Sequence, residues 1–217
     1  MSDAPLKSAL DALERLAEGN RRFVSEAQTL SAVHTRSRLG ALTAGQAPFA
    51  IVLGCSDSRV PAEIVFDAGL GDLFVIRVAG NIVAPSQIGS VEFAAERFGT
   101  PLVVVLGHSR CGAIEATLEA LERPSAVESS NLRSIVDRIR PSVEPLLETE
   151  VRNDPDALAR KAVRANIRAA ANHLRHGSQL LEKLVQSGDL LVVGAEYSLE
   201  TGVVDFFDGS PIETANA

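Results

Sequence analysis

Apolar positions follow two different periods along this chain. Short unbroken runs such as Ile51-Val52-Leu53-Gly54 and Val103-Val104-Val105-Leu106-Gly107 predict buried strands. Four such strands are placed at about 48–54, 72–78, 101–107 and 189–195. Helical spacing predicts helices at about 87–98, 112–122, 130–142 and 156–187. This alternation predicts an α/β fold, a mainly parallel four-stranded sheet flanked by helices with right-handed crossovers. Gly202 to Phe207 adds a short edge strand, antiparallel because so few residues separate it from the one before.

Outside that alternation, Leu6, Ala9, Leu10, Leu13, Leu16, Ala17 and Phe23 recur at helical spacing over residues 6–26. This amino-terminal helix belongs to no βαβ unit, so its apolar stripe needs cover, and a partner subunit is the expected source. Residues 28–47 are polar and irregular, with a short helix near 36–43, and 123–155 reads as a surface connection rich in Pro, Glu and Ser. The expected organisation is one domain, an N-terminal helical arm at 1–47 used in dimerisation and an α/β core at 48–217.

Length and composition narrow the class. A chain of 217 residues that is 46% hydrophobic but only 4% aromatic can bury a large aliphatic core. Its net charge of −7 and lack of a dense basic cluster argue against nucleic acid as a partner. No apolar run approaches the roughly 20 residues that cross a bilayer, and Met1 to Pro5 does not read as a secretory signal, so a cytoplasmic location without membrane partners is expected. In that setting a lone disulfide between the two cysteines, Cys55 and Cys111, is disfavoured.

Those cysteines carry the chemistry. Cys55 directly follows the first apolar run, and His108 and Cys111 follow the third. Parallel strands deliver such residues at their carboxyl ends, where open α/β sheets bind ligands. Two thiolates and one imidazole suit zinc better than magnesium or calcium, and three protein donors leave the fourth position that a catalytic site keeps open. Gly107 and Gly112 have phosphate-loop spacing, but Ala113-Ile114 stands where Lys and Ser or Thr would be needed. Asp57 and Arg59, two apart in an extended loop, point to one side; the guanidinium keeps the carboxylate ionised and able to orient water at the metal. No serine nucleophile or second carboxylate is evident, which favours a very small electrophile.

These motifs resemble the β-class carbonic anhydrases, with C-S-D-S-R-V at 55–60, G-D-L-F-V-I-R-V-A-G-N at 71–81 and G-H-S-R-C-G at 107–112. The resemblance implies reversible hydration of carbon dioxide to bicarbonate and a proton at one Zn²⁺ per subunit, in a homodimer or homotetramer. It implies Cys55, His108 and Cys111 as zinc ligands, Asp57 as a fourth ligand at low pH, and Arg59 as the residue that holds Asp57 off the metal. It further implies substrate-pocket roles for Gln46, Phe74, Gly112 and Tyr197.

Some bacterial members carry a bicarbonate-regulatory pocket built on a tryptophan, an arginine and a tyrosine. Arg77 and Tyr197 match two of these, but Val52 replaces the tryptophan, so the chain looks more like the plant-type subgroup and bicarbonate regulation is not expected. His34, His173 and His176 match no role and read as surface or packing residues. Two alternatives stay open: hydrolysis of carbonyl sulfide or carbon disulfide on the same fold, and a non-catalytic zinc or redox-sensing protein.

Overall fold

A computed structural model describes residues 4–28, 36–123 and 129–212. Its centre is a five-stranded sheet of order β2-β1-β3-β4-β5, with β1 at Ala50–Gly54, β2 at Leu73–Arg77, β3 at Leu102–His108, β4 at Leu191–Tyr197 and β5 at Val204–Asp208. The first four strands are parallel and β5 is antiparallel to β4, as the pattern predicted. Every residue of β1 and β3 is buried, which explains why their sequences show no polar alternation. From β1 the chain crosses to β2 on one side and then to β3 on the other. The sheet's switch point therefore lies between the carboxyl ends of β1 and β3, the two strands that carry the candidate ligands.

Eight α-helices are described: α1 Ala4–Val24, α2 Arg36–Leu42, α3 Ala62–Val65, α4 Pro85–Phe98, α5 Gly112–Glu122, α6 Ser130–Val143, α7 Pro155–His176 and α8 Gln179–Ser187. Helices α4 to α8 cover the sheet face formed by Ile51, Leu53, Val103, Val105 and Val192. On the opposite face Val52, Val104, Leu106 and Val193 meet α1 and α3. The stripe of α1 therefore finds its cover at home: Leu13 and Leu16 are fully buried against the chain's own sheet, not left for a second subunit.

A second expectation is corrected at 156–187, where two helices replace one long one. Gly177 ends α7, and the Ser178 hydroxyl accepts a hydrogen bond from the Leu181 N–H to cap α8. A Gly-Ser pair is a stop signal followed by a start signal, and the unbroken apolar period on either side masks it. Within 123–155 the helix expected at 130–142 is α6, which runs into two 3-10 turns at Glu144–Glu148 and Glu150–Asn153; residues 124–128 lie outside the described residues.

Candidate active site

Cys55 follows the last residue of β1, His108 is the last residue of β3, and Cys111 caps α5. The three come from two separate strand ends, yet their ligand atoms all fall within 4.8 Å of one another, and all three residues are buried. A tight turn brings His108 and Cys111 together, and Arg110 occupies a left-handed conformation there, at φ 53°. Such a backbone costs an ordinary residue about 1–2 kcal/mol, so the surroundings must hold it. Glu200 does so: it accepts hydrogen bonds from the Ser109 hydroxyl at 2.7 Å and the Arg110 Nε at 2.6 Å.

The imidazole is presented for ligation. His108 Nδ1 lies 2.8 Å from the Ser109 carbonyl oxygen, to which it donates in the tautomer with Nδ1 protonated. Nε2 is fully buried and, among the described residues, has no hydrogen-bond partner. An orphaned buried acceptor facing two sulfurs is costly unless a cation occupies the space. The two sulfurs share a proton unevenly. Cys55 is drawn down by the hydrogen bond with Cys111, and by the N–H groups of Asp57 and Gly80, both 3.4 Å from its Sγ. Cys111 is pushed up by that same pairing and by burial. Two thiols competing for protons beside an unpartnered imidazole fit a divalent cation that displaces those protons, and soft thiolates select zinc over hard-cation alternatives.

Asp57 and Arg59 do meet, though across a turn closed by the Val60 N–H on the Asp57 carbonyl at 3.1 Å and not in the extended loop expected. Asp57 Oδ1 accepts from the Arg59 backbone N–H and Nε, each at 2.9 Å, and Oδ2 accepts from Nη2 at 2.7 Å. This fork holds the Asp57 carboxyl well below the usual carboxylate range. Oδ2 also stands 3.9 Å from His108 Nε2, so the carboxylate borders the donor set without joining it. Gly112 opens α5 beside Cys111, and a Cβ added there would meet nothing within 4 Å, leaving its backbone approachable.

Other expected site residues sit elsewhere. Gln46 is exposed ahead of β1, and Phe74 is the second residue of β2, in register with Ile51. Both are thus at the amino ends of their strands, away from Cys55; the Phe74 ring packs with Phe93 and Phe98 of α4. Tyr197 is buried against Phe23 of α1, and its carbonyl receives the Ser109 N–H at 3.0 Å. His173 and His176 are exposed, and His34 lies outside the described residues.

The sequence reading missed what Arg77 does. Its Nε donates to the Cys55 carbonyl at 3.0 Å and its Nη2 to the Asp57 carbonyl at 2.6 Å, strapping the ligand loop to the end of β2. Gly80 was missed too. Its φ of 67° and the close approach of Ile139 and Ala113 leave no room for a side chain. Gly80→Ala is expected to lose roughly 2 kcal/mol or more of stability, read as a lowered denaturant midpoint with unchanged slope.

A mainly parallel α/β sheet presents two cysteine sulfurs, an imidazole and an arginine-held aspartate at its switch point, a donor set of the kind that can hold a metal ion. A family model described as carbonic anhydrase matches residues 50–204. "Carbonic anhydrase 2" of Mycobacterium tuberculosis is 37% identical over 198 residues, 91% of this chain and 92% of that protein. A carbonic anhydrase of Mycolicibacterium smegmatis is 38% identical over 209 residues, covering 93% and 94% of the two chains. Among solved structures, the β-carbonic anhydrase CcaA superposes with a TM-score of 0.72 at 28% identity, over 91% of this chain and 95% of that one. The chain belongs to the carbonic anhydrase family, in its β class, and is an enzyme of that family.

Proposed function

We propose that the protein catalyses the reversible hydration of carbon dioxide to bicarbonate and a proton, with one zinc ion held by Cys55, His108 and Cys111. The observation that carries this reading is the convergence of three buried donors from two strand ends on one point, with a buried imidazole nitrogen left unpartnered. When bound, zinc supplies a Lewis acid that makes a nucleophile of water at accessible pH and fixes its position.

The chain's own groups do the rest. Asp57, kept ionised by Arg59, accepts a hydrogen bond and so orients the attacking water. Arg59 also donates to the Arg110 carbonyl at 3.3 Å, tying the two ligand loops together. If Arg59 releases it, Asp57 is near enough to offer a fourth donor. The accessible Gly112 backbone serves the product anion at the start of α5. Gln46 and Phe74, remote from Cys55 within one chain, fit a role at the site of a neighbouring copy. The open edge of β2 and the half-exposed Phe93 beside Phe74 support assembly into a dimer or tetramer. No helix among the described residues is long and apolar enough to cross a membrane. Val52 is buried in the sheet and Arg77 is committed to two carbonyls, which supports a site without bicarbonate regulation.

Cys55 and Cys111, entering as thiolates, offset the dication's charge more than imidazoles would. Activity is therefore expected to rise through alkaline pH, with a midpoint above the ~7 of an all-imidazole site, and to be lost as pH falls. Asp57 does not set that midpoint. Its depressed pKa keeps it ionised far below neutrality, and the stability its pair contributes is lost only when pH falls through that strongly acidic value. Initial rates from pH 6 to 10 check the activity profile, and denaturant unfolding followed from pH 6 downward checks that the Asp57-linked loss of stability comes only in the acid range.

Parallel assays on carbon dioxide, carbonyl sulfide and carbon disulfide test the substrate. Turnover of carbon dioxide far above that of the sulfur analogues is expected; the reverse order would reassign the site. Reversible Cys55–Cys111 oxidation without hydration activity would point to redox sensing instead.

A further inference from the structure

We infer that Asn166, on the face of the sheet opposite α1, is a positioning residue that acts on the Cys55 sulfur through Gly80. The inference rests on the metal assignment proposed above. Asn166 interrupts an otherwise apolar stripe on α7, between Ala162 and Val163 one turn before it and Ala170 one turn after. Only 4% of it is exposed, and burying an amide there is costly unless the amide has work to do. Its Nδ2 donates to the Gly80 carbonyl at 2.8 Å, a contact buried on both sides and 86 residues apart in sequence.

Gly80 in turn directs its N–H at Cys55 Sγ, at 3.4 Å. Glycine has the broadest backbone freedom of any residue, and Gly80 sits in the left-handed region at φ 67° and ψ 21°. Nothing in its own side chain can fix the direction of that N–H. Ile139 and Ala113 crowd Gly80 from the sides, but apolar contacts do not orient an amide. Asn166 holds the carbonyl end of the residue and thereby limits how far its amide end can turn. A thiolate that accepts two N–H hydrogen bonds, from Gly80 and Asp57, is a weaker electron donor than one that accepts a single bond. Asn166 thus adjusts both the grip of the site on its metal and the charge the metal feels.

The test uses the full chain with cobalt in place of zinc, and separately the zinc form. In Asn166→Leu, which keeps the volume and removes the donor, the sulfur-to-cobalt charge-transfer band is expected to move to lower energy. Zinc release into excess chelator is expected to quicken roughly tenfold or more, because a Cys55 sulfur no longer held in place by the Gly80 N–H swings away from the cation more readily, although it donates more strongly while bound. Leu174→Met, a volume-conserving core change two turns further along α7, should move neither quantity. Asn166→Ala carries the same prediction should the leucine variant not fold. A folded Asn166 variant with the parent band and parent release rate overturns the assignment. A parent protein without any sulfur-to-cobalt band would instead overturn the metal site itself, which separates the two failures.

Discussion

Replacing Cys55 by serine, or His108 by alanine, is expected to remove zinc and carbon dioxide hydration together. Both donors are buried, His108 completely, and a water in the lost place would be a weaker donor than the thiolate or imidazole it replaces. Serine substitutes a hard, protonated oxygen for a thiolate and does not restore the soft donor set. With the Lewis acid gone, several kcal/mol of transition-state stabilisation go with it, a rate loss of about 10³-fold or more. The fold should persist, because β1 and β3 are held by apolar contacts on both faces of the sheet and not by the site. Metal analysis and circular dichroism on the sample used for kinetics check all three statements. A folded, metal-free and fully active variant would refute the ligand assignment.

Removing Arg59 is expected to give the opposite pattern, with metal retained and turnover lost. In Arg59→Leu the carboxylate of Asp57 keeps the backbone N–H on Oδ1 but loses both guanidinium contacts. Oδ2, already 3.9 Å from His108 Nε2, then has nothing to oppose its attraction to a cation among the three donors. Asp57 should take the fourth position, and the loss of an oriented acceptor costs on the order of 10²-fold in rate. Zinc content near one per chain with that loss is the expected pairing. Normal turnover in this variant would reduce the Asp57–Arg59 pair to an ordinary loop contact, of the sort worth about 0–1 kcal/mol.

Much of this geometry was legible in the chain itself. Unbroken aliphatic runs mark β1 and β3 because parallel central strands are buried on both faces, and the residues just after such runs emerge together. Asp57 and Arg59 pair as expected but for a different reason: not an extended chain but a turn, in which the Val60 N–H donates to the Asp57 carbonyl and the Arg59 N–H to the Asp57 side chain, brings them together. What stayed hidden depends on register and on distant partners. Arg77 straps the ligand loop because parallel pairing sets Gly54 opposite Arg77, and no local pattern announces that register. Glu200 reaches Ser109 and Arg110 from the far end of β4, through a turn whose sequence looks like an ordinary polar connection. The cover for α1 was misjudged for a related reason: a helix outside the βαβ succession can still pack on the sheet face that the crossover helices leave bare.

Stopped-flow hydration of carbon dioxide across pH, with zinc counted on the same preparation, tests the central claim most directly. One zinc per chain and a rate that climbs into the alkaline range, lost in proportion when a chelator strips the metal, is the predicted result. Full activity in protein that holds no zinc would contradict it.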